Sequence, residues 1–191
     1  MKFNSSRMKM RVCLIVLVAV FLLGFQPAVA EQASGQVVDL GNSAIAAFGI
    51  DPVLVQAVKK ENALGKTMDQ IKAMDQKWMA TPGIADFMQL ILENETADYL
   101  KEIQKQEAYY AEIFLMDDQG ALVASTDKTS DYWQGDEAKF TQPFSTGTVH
   151  VSDVEFDTSA QAYLVQISVP VKDGDAVIGA ITFGIDLDQF E

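Results

Sequence analysis

The chain has 191 residues, 27 acidic against 14 basic side chains and a formal charge of −13, with one cysteine and one histidine. A surface this acidic repels phosphate backbones and argues against nucleic acid as a partner. A lone cysteine gives no disulfide, and without paired His or Cys neither a zinc site nor a thiol–imidazole nucleophile can be assembled.

The first thirty residues read as an export signal. Lys2, Arg7, Lys9 and Arg11 precede an apolar run from Val12 to Phe25, and Ala28-Val29-Ala30 supplies small residues for cleavage. The run is short for a membrane span, which needs about 20 apolar residues. Cleavage near Ala30 is therefore expected, with retention as an anchor the alternative, and the compartment is periplasmic or extracellular. Cys13 lacks the Leu-x-x context of a lipoprotein site. Cleavage removes both arginines, Arg7 and Arg11, and makes the remainder more acidic still. Any acidic ligand would then have to be held by lysine, hydroxyls or backbone N–H groups rather than a guanidinium fork.

Residues 31–50 are expected to be a lead-in, helical from about Val37, before a single domain over 51–191. Asp51-Pro52 is a helix start, and Thr67 with Gln70 has capping-box spacing ahead of Ile71, Met74 and Trp78 on one face. Thr81-Pro82 ends that helix. Ile84, Phe87, Met88, Ile91 and Leu92 make the next apolar stripe, and Thr96 is expected to cap a last helix running toward Tyr110.

From Glu112 the periodicity becomes two. Strands are expected near 112–117, 121–125, 147–152, 161–171 and 176–187, the fourth with Tyr163, Val165, Ile167, Val169 and Val171 on one face. Asp117 to Gly120 and Asp173-Gly174 are hairpin turns, and a short helix is expected within 135–140. Helices first and sheet second predict an α+β domain: a five-stranded antiparallel sheet with the long helices on one face.

Catalysis is poorly served. No Gly-x-Ser-x-Gly surrounds any serine. His150, on an alternating strand, reads as a pocket-lining or core residue rather than a base or metal ligand. Asp153, Glu155 and Asp157 recur every second residue, which puts three carboxylates on one side of an extended segment. Either a cation or amine relieves them, or they form a solvated turn; the pattern is not an EF-hand, and no metal or cofactor is expected. The richest loop holds Asp131, Tyr132, Trp133, Asp136, Glu137, Lys139 and Phe140. Tyr132 and Trp133 offer faces to an apolar body or an amine, and Lys139 is the nearest cation for a carboxylate. The alternative is that Trp133 and Phe140 anchor the loop and Asp131 braces it.

Glu112-Ile-Phe, the Thr129 to Glu137 loop, Ser152-Asp-Val-Glu-Phe-Asp, and Val169-Pro-Val with Ile178-Gly follow one another in an order that resembles the extracytoplasmic Cache (PDC) sensor domains, a PAS-like fold of the single-Cache type. The resemblance implies that the loop and its short helix cover a ligand cavity above the sheet. The expected site is Asp131, Tyr132, Trp133, Lys139, Phe140, His150, Asp153 and Tyr163, with a small organic molecule as ligand. Family members are usually the external parts of kinases, cyclic-dinucleotide enzymes or chemoreceptors. This sequence ends at Glu191, straight after the last strand, so the expectation is a stand-alone module working through a membrane receptor or kinase. The competing reading is a structural protein that docks a partner through its sheet edge or helices. An acid-residue hydrolase is the weakest of the three.

Overall fold

The computed structural model describes residues 31–157 and 161–190; the expected signal segment lies outside the described residues. Among the described residues, six α-helices are set before and within a six-stranded antiparallel sheet, and a seventh short one follows it. The first is α1 (Gly35–Asn42), capped by the Ser34 hydroxyl, and a 3-10 turn follows over Ile45–Ile50. Val37 and Ile45 are fully buried, so residues 31–50 belong to the packed unit rather than leading into it.

Helix α2 (Pro52–Asn62) starts as its sequence dictates. Asp51 Oδ1 accepts from the backbone N–H of Val53 and Leu54, and Pro52 occupies the first turn, where its missing N–H costs nothing. Helix α3 (Met68–Ala80) carries the full capping box between Thr67 and Gln70. Helix α4 (Asp86–Leu92) buries Met88 and Leu92 but leaves Ile84, just before it, exposed. Helix α5 (Glu95–Gln104) is capped by Asn94, not Thr96. Asn94 takes the N–H of Ala97 and gives its amide to the carbonyls of Leu90 and Val123, joining two helix ends and a strand, which a threonine could not do. The helix also stops short of Tyr110, which already belongs to the sheet.

Strands β1 (Tyr110–Met116), β2 (Leu122–Ser125), β3 (His150–Val151), β4 (Glu155–Asp157), β5 (Ala162–Asp173) and β6 (Ala176–Asp186) pair in the order β2-β1-β6-β5-β3, with β4 on the β3 side of β5. The five expected strands are all present. The sixth, β4, is the Glu155 to Asp157 segment, which satisfies its backbone against Leu164 to Ala162 instead of forming a free turn. Tyr163 departs from its expected buried face and lies 54% exposed, edge-on to Phe156 at 5.2 Å. Helix α6 (Ala138–Thr146) is longer than the sequence suggested, running through Pro143 to a left-handed Gly147. Phe140 and Phe144, stacked at 4.9 Å, hold it on the sheet.

The α+β class and antiparallel sheet stand as read, but the helices occupy both faces. Ile113 and Leu115 point to α1, α2 and α5, whereas Phe114 and Met116 point to α3, α4 and α6. The alternation of a strand makes this division residue by residue. Asn62 closes the end of α2 by donating to Ile178 O and accepting from the N–H of Asp118, linking both long hairpins.

Candidate functional site

The second face is incompletely filled. At its open end lies a cavity of about 330 Å³, floored by Glu112 and Phe114 of β1 and Gln166 of β5, with Asp157 of β4 at one side. Lys139 of α6 and the 128–134 loop form the roof. A mouth of about 350 Å³ continues it past Ala111, Asp127, Leu164 and Ile84. Glu112, Gly184 and Gln166 lie in one cross-strand row over β1, β6 and β5. The next row places Phe114, Thr182, Ser168 and His150 in line, with the Ser168 and Thr182 hydroxyls bonded at 2.9 Å.

Helix α3 holds the roof in place. Asp75 Oδ1 accepts from the N–H groups of Tyr132 and Trp133, at 2.9 and 3.0 Å, and Trp78 Nε1 donates to Thr129 O at 2.9 Å. The loop also bonds back to the β1–β2 hairpin: Leu122 N donates to Tyr132 O and Gln134 N to Gly120 O. Lys128 Nζ reaches the carbonyls of Thr81 and Gly83 and so ties the α3–α4 connection to the cavity rim.

Glu112 is the chemically distinctive group. Burial raises its carboxyl above the ordinary range, opposed by the Gln166 amide and the Lys139 ammonium and reinforced by Asp157 and Asp127. Gln166 Nε2 donates to Glu112 Oε1 at 3.2 Å. Lys139 Nζ pairs with Glu137 Oε2 at 2.9 Å and stands 5.6 Å from the centre of the Phe114 ring. Gln134 is 1% exposed, gives Nε2 to Asp131 O at 2.7 Å, and leaves Oε1 without a partner among the described residues.

Of the eight residues expected from sequence, Lys139 lines this cavity. Tyr132 is buried in the cluster behind it, 6.0 Å from Trp78, with its hydroxyl accepting from Lys66 Nζ. Phe140 is buried in the same cluster. Asp131 and Trp133 face a separate outer hollow of about 380 Å³ beside Asp75 and Met79. There Trp133 donates Nε1 to Gln119 O and lies under Lys72. His150 is half-buried on β3, where burial lowers its basicity against the pull of Asp153. Asp153 is exposed in the loop that follows, and Tyr163 lies on the outer surface.

Glu112, Gln134 and Gln166 were the residues not singled out. For Glu112 and Gln166 the signal is polarity inside strands otherwise buried on both sides, since Gln166 and Ser168 alternate with Val165, Ile167 and Val169, and Glu112 precedes four apolar residues; Gln134 lies in the loop before α6 and carries no such signal. A polar side chain in such a strand needs either a partner or a cavity.

The fold thus places a cavity above an antiparallel sheet, roofed by a loop and a short helix. The family model described as methyl-accepting chemotaxis protein-like, first PDC sensor domain, matches residues 87–191, more than half of the chain, and the protein belongs to that family. Similar solved structures include the sensor domain of the Vibrio cholerae histidine kinase DctB (16% identity, TM-score 0.45, 81% of this chain and 51% of that one). The ligand-binding domain of the Campylobacter jejuni chemoreceptor Tlp3 with L-valine is another (14%, 0.41, 70% and 56%). So is that of the Pseudomonas aeruginosa PAO1 amino acid chemoreceptor PctC with GABA (12%, 0.42, 81% and 60%). The chain spans between about half and three-fifths of the length of these domains. No curated protein matches it.

Proposed function

We propose that the protein is an exported, non-catalytic sensor module that binds a small organic molecule in the cavity over Glu112 and Gln166 and passes the bound state to a membrane receptor or kinase. Family membership supports sensing, and the observation that carries the site is the cavity itself, with polar floor groups placed among apolar strands. Its size falls at the low end of the roughly 300–1,000 Å³ range of small-molecule sites, too small for a folded partner or a long peptide. Coupling is a population shift: a ligand touching β1, β5 and the roof together favours the conformation in which the roof is closed. Export follows from the amino-terminal pattern, with Glu31 the first residue of the mature protein. That residue is already fastened, because its carbonyl accepts from Val154 N at 2.7 Å.

The test is native mass spectrometry of protein purified from the exported fraction, followed by calorimetry against a metabolite library. A co-purifying or saturable ligand, lost in Gln166→Leu, supports the reading. A correctly folded protein that binds nothing across the library returns the docking alternative, and intact Met1 in the membrane pellet removes the export step.

A further inference from the structure

The α3–α4 connection, residues 81–85, runs beside the mouth of the cavity, where Ile84 is one of the lining side chains. Little of its own backbone holds it. Among the described residues, Pro82, Gly83 and Ile84 make no backbone–backbone hydrogen bond, and α4 begins after Ala85 without a side-chain cap. The tie across to the rim is Lys128, whose ammonium donates to Thr81 O at 2.7 Å and to Gly83 O at 2.9 Å. Gly83 bends the segment with a φ of +66°, and a Cβ there would meet nothing within 4 Å. Ile84 stands 66% exposed at a mouth whose other apolar groups are Ala111 and Leu164.

We propose that residues 81–85 form a strap over the mouth of the cavity, fastened by Lys128, and that its inward movement carries Ile84 across the opening to shut a ligand in. The inference rests on the cavity being the ligand site. A segment without backbone bonds of its own shifts at small cost. A water-exposed isoleucine gains by moving against Ala111, Leu164 and the apolar part of a ligand. Lys128 lines the cavity as well as its mouth, and an ammonium has three N–H donors, of which the strap takes two. The same side chain therefore belongs to the roof and fastens the strap. Helix α3 holds the roof through Asp75 and Trp78, so roof and strap move as one flap hung on α3.

The experiment reads access to the cavity floor without any ligand. Glu112→Cys in the exported protein places a thiol there, with the unsubstituted protein as the blank for Cys13, and its rate of alkylation by the neutral probe N-ethylmaleimide is measured. Adding Lys128→Met should raise the rate about tenfold, the low end for losing a hydrogen bond to a charged group. Loss of a nearby cation makes a thiol less acidic and slower, so electrostatics works against the expected rise. Lys128→Arg, which keeps donors for both carbonyls, should restore most of the protection. Ile84→Ala should also raise the rate, whereas Leu90→Ala, similarly exposed on α4 but not part of the mouth, should leave it unchanged. Circular dichroism confirms that each variant is folded. A rate indifferent to Lys128→Met or to Ile84→Ala overturns the strap and leaves the sensing site standing. A rise in Leu90→Ala as large as that in Ile84→Ala overturns it too, because the loosening is then general. A folded protein that binds nothing across the metabolite library removes the site, and the strap's function with it, whatever the rates.

Discussion

Glu112 and Gly184 face one another across the β1–β6 ladder so closely that a Cβ on Gly184 would lie 2.6 Å from Glu112 Cγ. The glycine is needed for space, not for backbone freedom. Gly184→Ala should therefore push the Glu112 side chain toward the cavity at an overpacking cost of about 1 kcal/mol, the low end for such insertions because the displaced group is a side chain. Stability should fall modestly, by denaturant melts, while ligand affinity falls much further. Equal loss of both would mean that the contact is structural only.

The displaced acidity of Glu112 gives a pH signature. Its carboxyl is raised by burial, so the folded state holds a proton that the unfolded state has already released. Stability must then decline as pH rises from the unfolded carboxylate value, about 4.3, through the folded one, and the loss persists above it. Glu112→Gln lacks this penalty. The variant should melt higher than its parent at pH 7, and the two should converge near pH 4. A variant less stable at pH 7 would show that Gln166 and Lys139 more than offset the burial.

The two tryptophans should separate cleanly. Trp78 is fully buried between Tyr132 and Phe87 and also holds the roof through Thr129. Trp78→Ala is expected to cost about 3–5 kcal/mol. Trp133, half-buried over the outer hollow, should cost about 1–2 kcal/mol, a typical single-site loss. Its ligand affinity should stay within about twofold of the parent. A well-folded Trp133→Ala that no longer binds would restore the stacking role read from the sequence and move the site to the outer hollow.

Lys66 makes an ion pair with the buried Asp117 at 2.8 Å and with Glu61 at 3.0 Å. Burial disfavours its charge, yet Asp117 and the Tyr132 hydroxyl outweigh that and hold the ammonium above its ordinary range. Its stabilisation is thus fully present below the usual lysine value and lost only in strong alkali. Lys66→Ala leaves Asp117 without its countercharge and should cost about 2–3 kcal/mol at pH 7, below the full buried-pair figure because Lys66 is partly exposed. Asp117→Asn in the same background should recover part of the loss; no recovery would place the role of Lys66 in its packing alone.

Local signals carried most of the fold. Asp51-Pro52, the Thr67–Gln70 box and the Asp173-Gly174 turn act within a few residues, and each element sits where these place it. What pattern could not deliver depends on distant partners. Asn94 caps α5 because Val123 also needs its amide, β4 exists because β5 offers a free edge, and α6 passes Pro143 because two phenylalanines pin it to the sheet. The loop from 128 to 140 was legible as the roof. Its aromatics drew attention as ligand groups, whereas Tyr132 and Phe140 are spent on the core, and the polar floor was obscured because a single Glu or Gln in an apolar strand has no periodicity of its own.

Strand β1 is a party wall. Glu112 opens on the cavity, and its neighbour Ile113 is embedded in the other core, where α5 rests against the same strand. A ligand that draws the Glu112 side chain even a fraction of an ångström must therefore tug on the chamber behind, across a single peptide unit. The helices on that far side hear the load without touching whatever imposed it.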